Sequence, residues 1–224
     1  FSPDGRWIAT TNGNDAVLVS DARTGEARFR VDPHTSYVNA LAWNPTGDRL
    51  ATVSEDGTAA VSTVDEGGVD PILSLSGEAT GNGLYSVSFS ADGDRILTGD
   101  SGLESVKLWD VSAGGGAEWA NVDDVWPFLA PTFLPDGHRL TAVTGDRRHV
   151  LVLDVDDPAA GRRIARPPAP GSQITGAATS GDGALVALAW DESLIELWDT
   201  EAGTLRATLA PEVVGRYVGA LTWS

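Results

Sequence analysis

A single segment recurs along this 224-residue chain, and this repetition restricts the possible folds more than any other feature. Each copy holds a Gly-containing turn followed by a β-prone apolar segment. The copies begin near Phe1, Trp43, Phe89, Phe133 and Thr179, so that successive starts are 42, 46, 44 and 46 residues apart. Self-similarity at such a period is typical of repeat proteins, in which every repeat is one supersecondary unit.

The clearest copy is Phe89 to Asp110, with the sequence FSADGDRILTGDSGLESVKLWD. Asp92 and Gly93 form a turn, because Asp favours the early turn positions and Gly can adopt a positive φ. Residues 95–98 are β-prone and mostly apolar, whereas the segment from 99 to 105 is polar and contains Gly. Residues 106–109 alternate between apolar and other side chains, which indicates a third strand.

The third strand of two copies closes on a Trp-Asp pair, at Trp109-Asp110 and at Trp198-Asp199. Ser20, Ser62 and Leu153 stand in the Trp place of the other copies. On these motifs and this period the whole chain resembles the WD-repeat β-propeller family. The resemblance implies an all-β fold, a β-propeller of four-stranded antiparallel blades with about five repeats, over residues 1–224.

The resemblance also implies structural roles for Trp109, Asp110, Trp198, Asp199 and His34. In the family, a His before the inner strand joins a buried hydrogen-bond set with a Ser or Thr, an Asp and the Trp. No copy here has the full set: Trp109 has Thr98 but no His. His34 has Thr52 and Asp56 in place, but Ser62 instead of Trp. We therefore expect buried Trp109 and Trp198, and blades that depend more on apolar packing.

The first strand of each blade is predicted to lie where space is short. Small residues occupy one face of these segments, because side chains of a strand alternate between faces. The small residues are Ala40, Ala42, Ser86, Ser88, Ala130, Thr132, Gly176, Ala178, Ala220 and Thr222. Large residues open the same face at Val38, Leu84, Phe128, Ile174 and Val218. We expect blade four to start at Phe128 and a last inner strand to run from Tyr217 to Trp223.

The repeat phase at the two ends predicts that the chain is a fragment of a larger protein. It opens inside one repeat and stops inside another, with a partial repeat at 217–224. Two arrangements stay open: a closed five-blade ring, completed by the segment from Tyr217 to Trp223, or an arc of a larger propeller. We favour the arc, because the family more often uses seven blades.

Charge and composition exclude several partner classes. Lys and Arg total 15 against 32 Asp and Glu, for a net charge of -17, which disfavours nucleic-acid binding. No apolar run approaches the ~18–20 residues of a membrane helix. The absence of Cys excludes disulfides and thiolate metal sites and is compatible with a reducing cytoplasm. The single lysine, Lys107, and the frequent Ala, Gly, Asp, Val and Arg are typical of a GC-rich bacterial genome.

The sequence offers no catalytic constellation, cofactor motif or metal-ligand spacing. His34, His138 and His149 have no ligand spacing with one another, and no nucleophile elbow or phosphate loop occurs. The favoured function is a non-catalytic protein–protein interaction scaffold, the binding or sensing part of a larger bacterial signalling or assembly protein. The alternative is a propeller enzyme such as a lactonase or other hydrolase, with a site that these motifs do not reveal.

Aromatic residues in predicted loops are the candidate partner-binding residues. They are Tyr37, Tyr85, Trp126, Trp190 and Tyr217. Four of them stand at strand starts, and Trp190 stands between a second and a third strand. In the family these two sets of loops share one face. Rigid amphipathic side chains on loops are frequent interface anchors, and the negative charge favours a protein or peptide partner with basic segments.

Overall fold

A computed structural model describes residues 1–11, 15–76, 82–102, 104–112, 115–129, 131–157, 161–165, 171–191, 194–209 and 221–223. These residues form antiparallel strands and turns, and none of them lies in a helix. In this described part, accordingly, no helix is long and apolar enough to cross a membrane. The chain divides into two compact units, unit 1 (Phe1–Asp123) and unit 2 (Asp124–Ser224).

Unit 1 contains three sheets, in each of which the strands follow one another in chain order. The first sheet has three strands, β1 (Trp7–Thr11), β2 (Val17–Asp21) and β3 (Ala27–Val31). The second has β4 (Val38–Trp43), β5 (Arg49–Ser54), β6 (Thr58–Val64) and β7 (Val69–Ser76). The third has β8 (Leu84–Phe89), β9 (Arg95–Asp100), β10 (Ser105–Asp110) and β11 (Glu118–Asp123).

Unit 2 contains two further four-stranded sheets with the same sequential order. One has β12 (Thr132–Phe133), β13 (Arg139–Val143), β14 (His149–Asp154) and β15 (Arg162–Ala165). The other has β16 (Ile174–Thr179), β17 (Leu185–Trp190), β18 (Ile195–Asp199) and β19 (Leu205–Leu209). The predicted all-β class and the antiparallel four-stranded blade are confirmed.

The turn between the first two strands of a blade uses the same hydrogen bonds in different repeats. Before β9, the Ser90 hydroxyl donates to Asp92 Oδ1 at 2.5 Å and accepts from the Arg95 backbone N–H at 3.0 Å. Gly93 has a φ of 76°, which an L side chain rarely adopts. Before β17, Ser180 and Asp182 repeat this arrangement. The recurring turn in the sequence is thus a recurring structural unit.

The first strand of three blades carries a β-bulge at the same point. The register shifts between Val38 and Ala40 in β4, between Leu84 and Ser86 in β8, and between Ile174 and Gly176 in β16. A bulge inserts one extra residue and turns its side chain in a new direction. The bulge in β8 therefore determines where the side chain between Leu84 and Ser86 points.

The hydrophobic core of unit 1 lies between neighbouring sheets. Trp109 is 4% exposed, and it packs with Val53 and Val61 of the second sheet. In unit 2, Trp198 is 5% exposed and belongs to a cluster with Ile164 and Val186. The predicted burial of both tryptophans is confirmed. Fully burying such large apolar side chains stabilises a fold by about 2–3 kcal/mol each.

Blade four does not start at Phe128, and that prediction is wrong. Phe128 lies in a turn and is 48% exposed, while β12 begins only at Thr132. Pro127 precedes it and lacks the N–H that a ladder needs. Val125 is the residue that is fully buried, and it forms an isolated bridge with Thr144. Of the predicted last inner strand, Tyr217 to Trp223, residues 217–220 lie outside the described residues, and 221–223 are not in a strand.

Candidate partner-binding surface

Tyr37 occupies the exposed position that the sequence predicts. It directly precedes β4 and is 55% exposed. Its backbone carbonyl accepts a hydrogen bond from the Glu55 N–H at 2.9 Å. The backbone of Tyr37 is therefore fixed at the end of β5 while its ring stays in solvent.

Tyr85 is the extra residue of the β8 bulge and not a loop residue. Its side chain is half-buried, and its hydroxyl donates to Glu55 Oε1 at 3.2 Å. Burial raises the pKa of the Tyr85 hydroxyl, and the bond to Glu55 raises it further. Close packing holds the ring here, since a Cβ on Gly83 would lie 3.0 Å from Tyr85 Cε2 and 3.0 Å from Glu55 Cα.

We use the name tyrosine surface for Tyr37, Glu55, Tyr85 and the side chains beside them in unit 1. Asp15, Thr35 and Ser36 line a shallow depression of 380 Å³ together with Tyr37. Asp56 lies next to it, and its carboxylate accepts the Thr35 N–H at 2.7 Å. Two aromatic rings thus stand among three carboxylates. This arrangement can contact an apolar side chain and attract a cationic one.

His34 lies beneath the tyrosine surface and is buried, as the resemblance implies. Its Nε2 is 2.8 Å from Thr52 Oγ1 and its Nδ1 is 2.8 Å from Thr58 Oγ1. The contact with Thr52 was predicted, whereas Thr58 was missed. Burial lowers the pKa of the His34 imidazole, against the opposing effect of Asp56, so the ring is neutral at pH 7. The neutral imidazole, hydrogen-bonded through both ring nitrogens, connects the loop before β4 to β5 and β6.

In unit 2, Trp126 forms an aromatic surface of its own. The sequence places Trp126 at the start of a strand, but β12 begins only at Thr132. Trp126 directly precedes a turn and is half-buried, with its ring 5.3 Å from the ring of exposed Phe128. The Arg147 guanidinium lies 5.0 Å from the Trp126 ring centroid, within the range of cation–π attraction. Arg147 holds a φ of 56°, which is uncommon outside Gly.

The predicted loop position of Trp190 is wrong. Trp190 is the last residue of β17, is 2% exposed and belongs to the core of unit 2. Its Nε1 donates to Glu196 Oε2 at 3.0 Å, and Nε1 of Trp198 donates to the same oxygen at 3.1 Å. A partner cannot reach Trp190 in this conformation. Glu196 lies in β18 and is buried, and the sequence does not predict this. Side chains of a strand alternate between faces, so a carboxylate next to apolar Ile195 is expected to face solvent.

The two predicted aspartates, Asp110 and Asp199, hydrogen-bond to the backbone of the turns that follow them. Asp110 accepts from the backbone N–H of Ser112 at 2.9 Å, and Asp199 accepts from that of Ala202 at 2.6 Å. Each carboxylate therefore closes the turn after the third strand of its blade. Tyr217 lies outside the described residues.

Among the residues whose positions are described, no three His, Asp or Glu side chains lie close enough together to hold a metal ion. His138 is exposed, and its Nδ1 lies 3.0 Å from Asp156 Oδ2. His149 opens β14, is half-buried, and has its Nδ1 3.5 Å from Asp146 Oδ2. These pairs are isolated contacts in turns.

Comparison with known proteins adds a family assignment for part of the chain. The family model described as "WD domain, G-beta repeat" matches residues 25–61 and 70–110. Both matched segments lie in unit 1; the first runs from β3 into β6, and the second contains most of β7 and all of β8 to β10. The predicted WD-repeat resemblance is confirmed there.

Several curated proteins are similar to the chain over about half of its length. WD repeat-containing protein 1 of Gallus gallus is 30% identical over 107 residues, which are 47% of this chain and 17% of that protein. WD repeat-containing protein SL1-17 of Schistosoma mansoni is 32% identical over 114 residues, 51% of this chain and 36% of that protein. COMPASS component SWD3 of Saccharomyces cerevisiae is 27% identical over 114 residues, which are 51% of this chain and 34% of that protein. The matched part thus spans about a third or less of each relative.

Proposed function

The chain carries WD40 repeats, and from that premise we propose that it is a non-catalytic scaffold that binds a protein or peptide partner through the tyrosine surface. One observation carries the proposal. Glu55 fixes Tyr37 through its backbone and Tyr85 through its carboxylate, yet the Tyr37 ring is left 55% exposed. Because the backbone of Tyr37 is already fixed and a tyrosine side chain has only two rotatable torsions, this exposed ring loses little entropy on binding, which is the property of an interface anchor.

The charges of the tyrosine surface support a partner with basic residues. Asp15, Glu55 and Asp56 stand beside the two tyrosines, in a chain whose net charge is -17. Complementary charge mainly increases the association rate and disfavours acidic competitors. We propose a Lys or Arg side chain of the partner next to Glu55, with an apolar neighbour against Tyr37.

The similar proteins support an interaction role at a coarser level. All three are WD-repeat proteins by name or by match, and SWD3 is named as a component of COMPASS. We further propose that residues 1–224 are one repeat domain, and that it serves a larger bacterial signalling or assembly protein in the cytoplasm. The arginine-rich, lysine-poor composition supports a bacterial source with a GC-rich genome.

The test compares partner capture by three forms of the protein. The wild type, the double variant Tyr37→Ala with Tyr85→Ala, and a control would be incubated with lysate of the source organism at matched thermal stability. The control is Ile72→Ala with Leu205→Ala, because these apolar side chains are also exposed, at 49% and 45%. Captured proteins that depend on the tyrosines would then be purified and titrated.

We expect the tyrosine double variant to bind its partner ~2 kcal/mol or more weakly, as hot-spot losses do, and the control to bind as the wild type does. Glu55→Lys should also weaken binding, mainly through a slower association. Equal affinity of wild type and tyrosine variant would show that the tyrosine surface is not the binding surface.

A further inference from the structure

We propose that unit 1 has a second binding site, a cleft that takes a phosphomonoester group. The cleft lies at the end of the first sheet away from the tyrosine surface. Asp15, beside Tyr37, precedes β2, whereas the cleft is built around Asp21 at the other end of β2 and the turn that follows. The two sites are therefore separate, and each can be tested without the other.

Three arginines line this arginine cleft, which has a volume of 620 Å³ and is open to solvent. They are Arg6, Arg23 and Arg28. Trp7 and Phe29 form its apolar wall, with their ring centroids 5.8 Å apart. Trp7 is nearly fully buried and Phe29 half-buried, so the wall is part of the packed core and holds its shape.

The two acids of the arginine cleft do not neutralise all three cations. Glu66 is engaged by Arg6, whose Nη2 lies 2.7 Å from Glu66 Oε1 and whose guanidinium lies 5.4 Å from the Trp7 ring. Asp21 accepts the backbone N–H groups of Arg23 and Thr24 at 2.9 and 2.8 Å. The bond from Thr24, the larger cause, keeps the pKa of this carboxyl below its usual value. Asp21 is thus committed to closing its own turn.

In the described part of the chain, Arg28 is left without a counter-ion, and Arg23 has only the electrostatic attraction of Asp21, whose carboxylate is occupied by the turn. Among the residues whose positions are described, neither guanidinium has an ion pair or a side-chain hydrogen bond. Guanidiniums that line a cleft and form no ion pair are available to an anion, and their planar fork matches oxyanion geometry in a bidentate manner.

The internal repeats show that this charge is not a general feature of the blade. In the first repeat, the strand that corresponds to the third strand of the repeat pattern is β2, which ends at Asp21. Arg23 lies two residues after that end. The corresponding residues of the later repeats are Asp65, Ser112, Asp156 and Glu201. Three of these four are acidic, so the first repeat reverses the charge that the others carry. The acidic counterparts also show that the turn accepts a carboxylate at this position.

A phosphomonoester fits these groups better than a carboxylate does. Its charge of about -1.5 to -2 at pH 7 matches two unpaired guanidiniums, and its three oxygens can accept from both. A polyanion is disfavoured, because the field of a chain with net charge -17 repels extended phosphate backbones. The group could belong to a small phosphate ester or to a phosphorylated side chain of a polypeptide.

The test is a titration of the whole chain, followed by the arginine Nε–H signals in ¹H–¹⁵N NMR spectra at low ionic strength. The probes are phenyl phosphate, a blocked tripeptide with a central phosphoserine, and benzoate. We expect saturable shifts at Arg23 and Arg28 with both phosphate probes, and binding of benzoate at least about tenfold weaker. Tighter binding of the tripeptide than of phenyl phosphate would assign the site to phosphorylated polypeptides, and the reverse to small esters.

Matched variants separate the site from general charge effects. Arg23→Glu and Arg28→Glu should each weaken phosphate binding by about tenfold or more. Arg30→Glu makes the same charge change two residues further along β3, where Arg30 pairs with Asp32 outside the cleft, and should leave binding unchanged. Linear, unsaturable shifts, equal binding of benzoate, or equal losses for Arg28→Glu and Arg30→Glu would each overturn the proposal.

Discussion

The indole Nε1 of Trp109 donates a hydrogen bond to Oγ1 of Thr98 at 2.9 Å, between neighbouring strands of the same sheet. Both side chains are buried, and Trp109 also packs against the second sheet. One residue therefore supplies apolar contact between blades and a polar link within its own blade. The bond forms without the His of the family set, which this repeat lacks.

Replacing Trp109 should separate these two contributions. We expect Trp109→Ala to lower the free energy of unfolding by ~3–5 kcal/mol, because it removes apolar burial and leaves a cavity. Trp109→Phe keeps most of the packing and loses only the donor to Thr98, so it should cost about 1–2 kcal/mol. Urea denaturation followed by circular dichroism would measure both. A midpoint that Trp109→Ala leaves unchanged would place this side chain outside the core.

In unit 2, we expect Glu196 to be needed as a hydrogen-bond acceptor inside the core. Glu196→Leu should lower stability by ~2–5 kcal/mol, since the indoles of both Trp190 and Trp198 lose this buried acceptor. Glu196→Gln keeps one oxygen and should cost clearly less. Thermal melts of the two variants would show which substitution lowers stability more. If Glu196→Leu is as stable as Glu196→Gln, the shared acceptor contributes nothing.

The turn carboxylates should make stability fall in acid. The Ser180 hydroxyl, first, and the Ala184 N–H hold the pKa of Asp182 below its ordinary value of 3.8. A carboxyl with a folded-state pKa below its unfolded-state pKa stabilises the fold above the unfolded value. That contribution is lost as the pH falls through the folded value. Wild type should therefore exceed Asp182→Asn in stability at pH 6, and the difference should shrink progressively as the pH falls below 3.8.

Urea midpoints of wild type and Asp182→Asn at several pH values would measure this difference in stability. Comparing the two proteins at the same pH cancels the general effect of the net charge. Ser180→Ala should remove most of the difference as well, because it deletes the hydroxyl donor to Asp182. A gap between wild type and Asp182→Asn that stays constant from pH 6 to pH 2.5 would contradict the assigned cause.

The sequence predicts those parts of the fold that depend on local patterns. The Gly-containing turns, the strand pairs around them and the burial of Trp109 follow from the repeat itself. It fails at Phe128, because apolar residues on both sides of Pro127 look like a strand, although Pro127 and the turn after it prevent pairing.

The sequence also predicts only those residues of the candidate site whose exposure follows from their position relative to a strand. Tyr37 is exposed as expected, since it precedes a strand by one residue. The sequence predicts a loop at Trp190 between the second and third strands, but β17 extends through Trp190, whose buried indole donates to Glu196. The arginine cleft depends on which turns of adjacent sheets meet, and spacing along one chain does not contain that information.

The measurement that tests the central claim most directly is site-specific photo-cross-linking at the tyrosine surface. The photoreactive amino acid p-benzoylphenylalanine would replace Tyr37, which is 55% exposed, or Ile72, which is 49% exposed on β7. After irradiation in lysate of the source organism, position 37 should form a discrete cross-link to one protein, and position 72 should not. The cross-link should disappear when Glu55→Lys is added. The same products from positions 37 and 72, or none from position 37, would contradict the account.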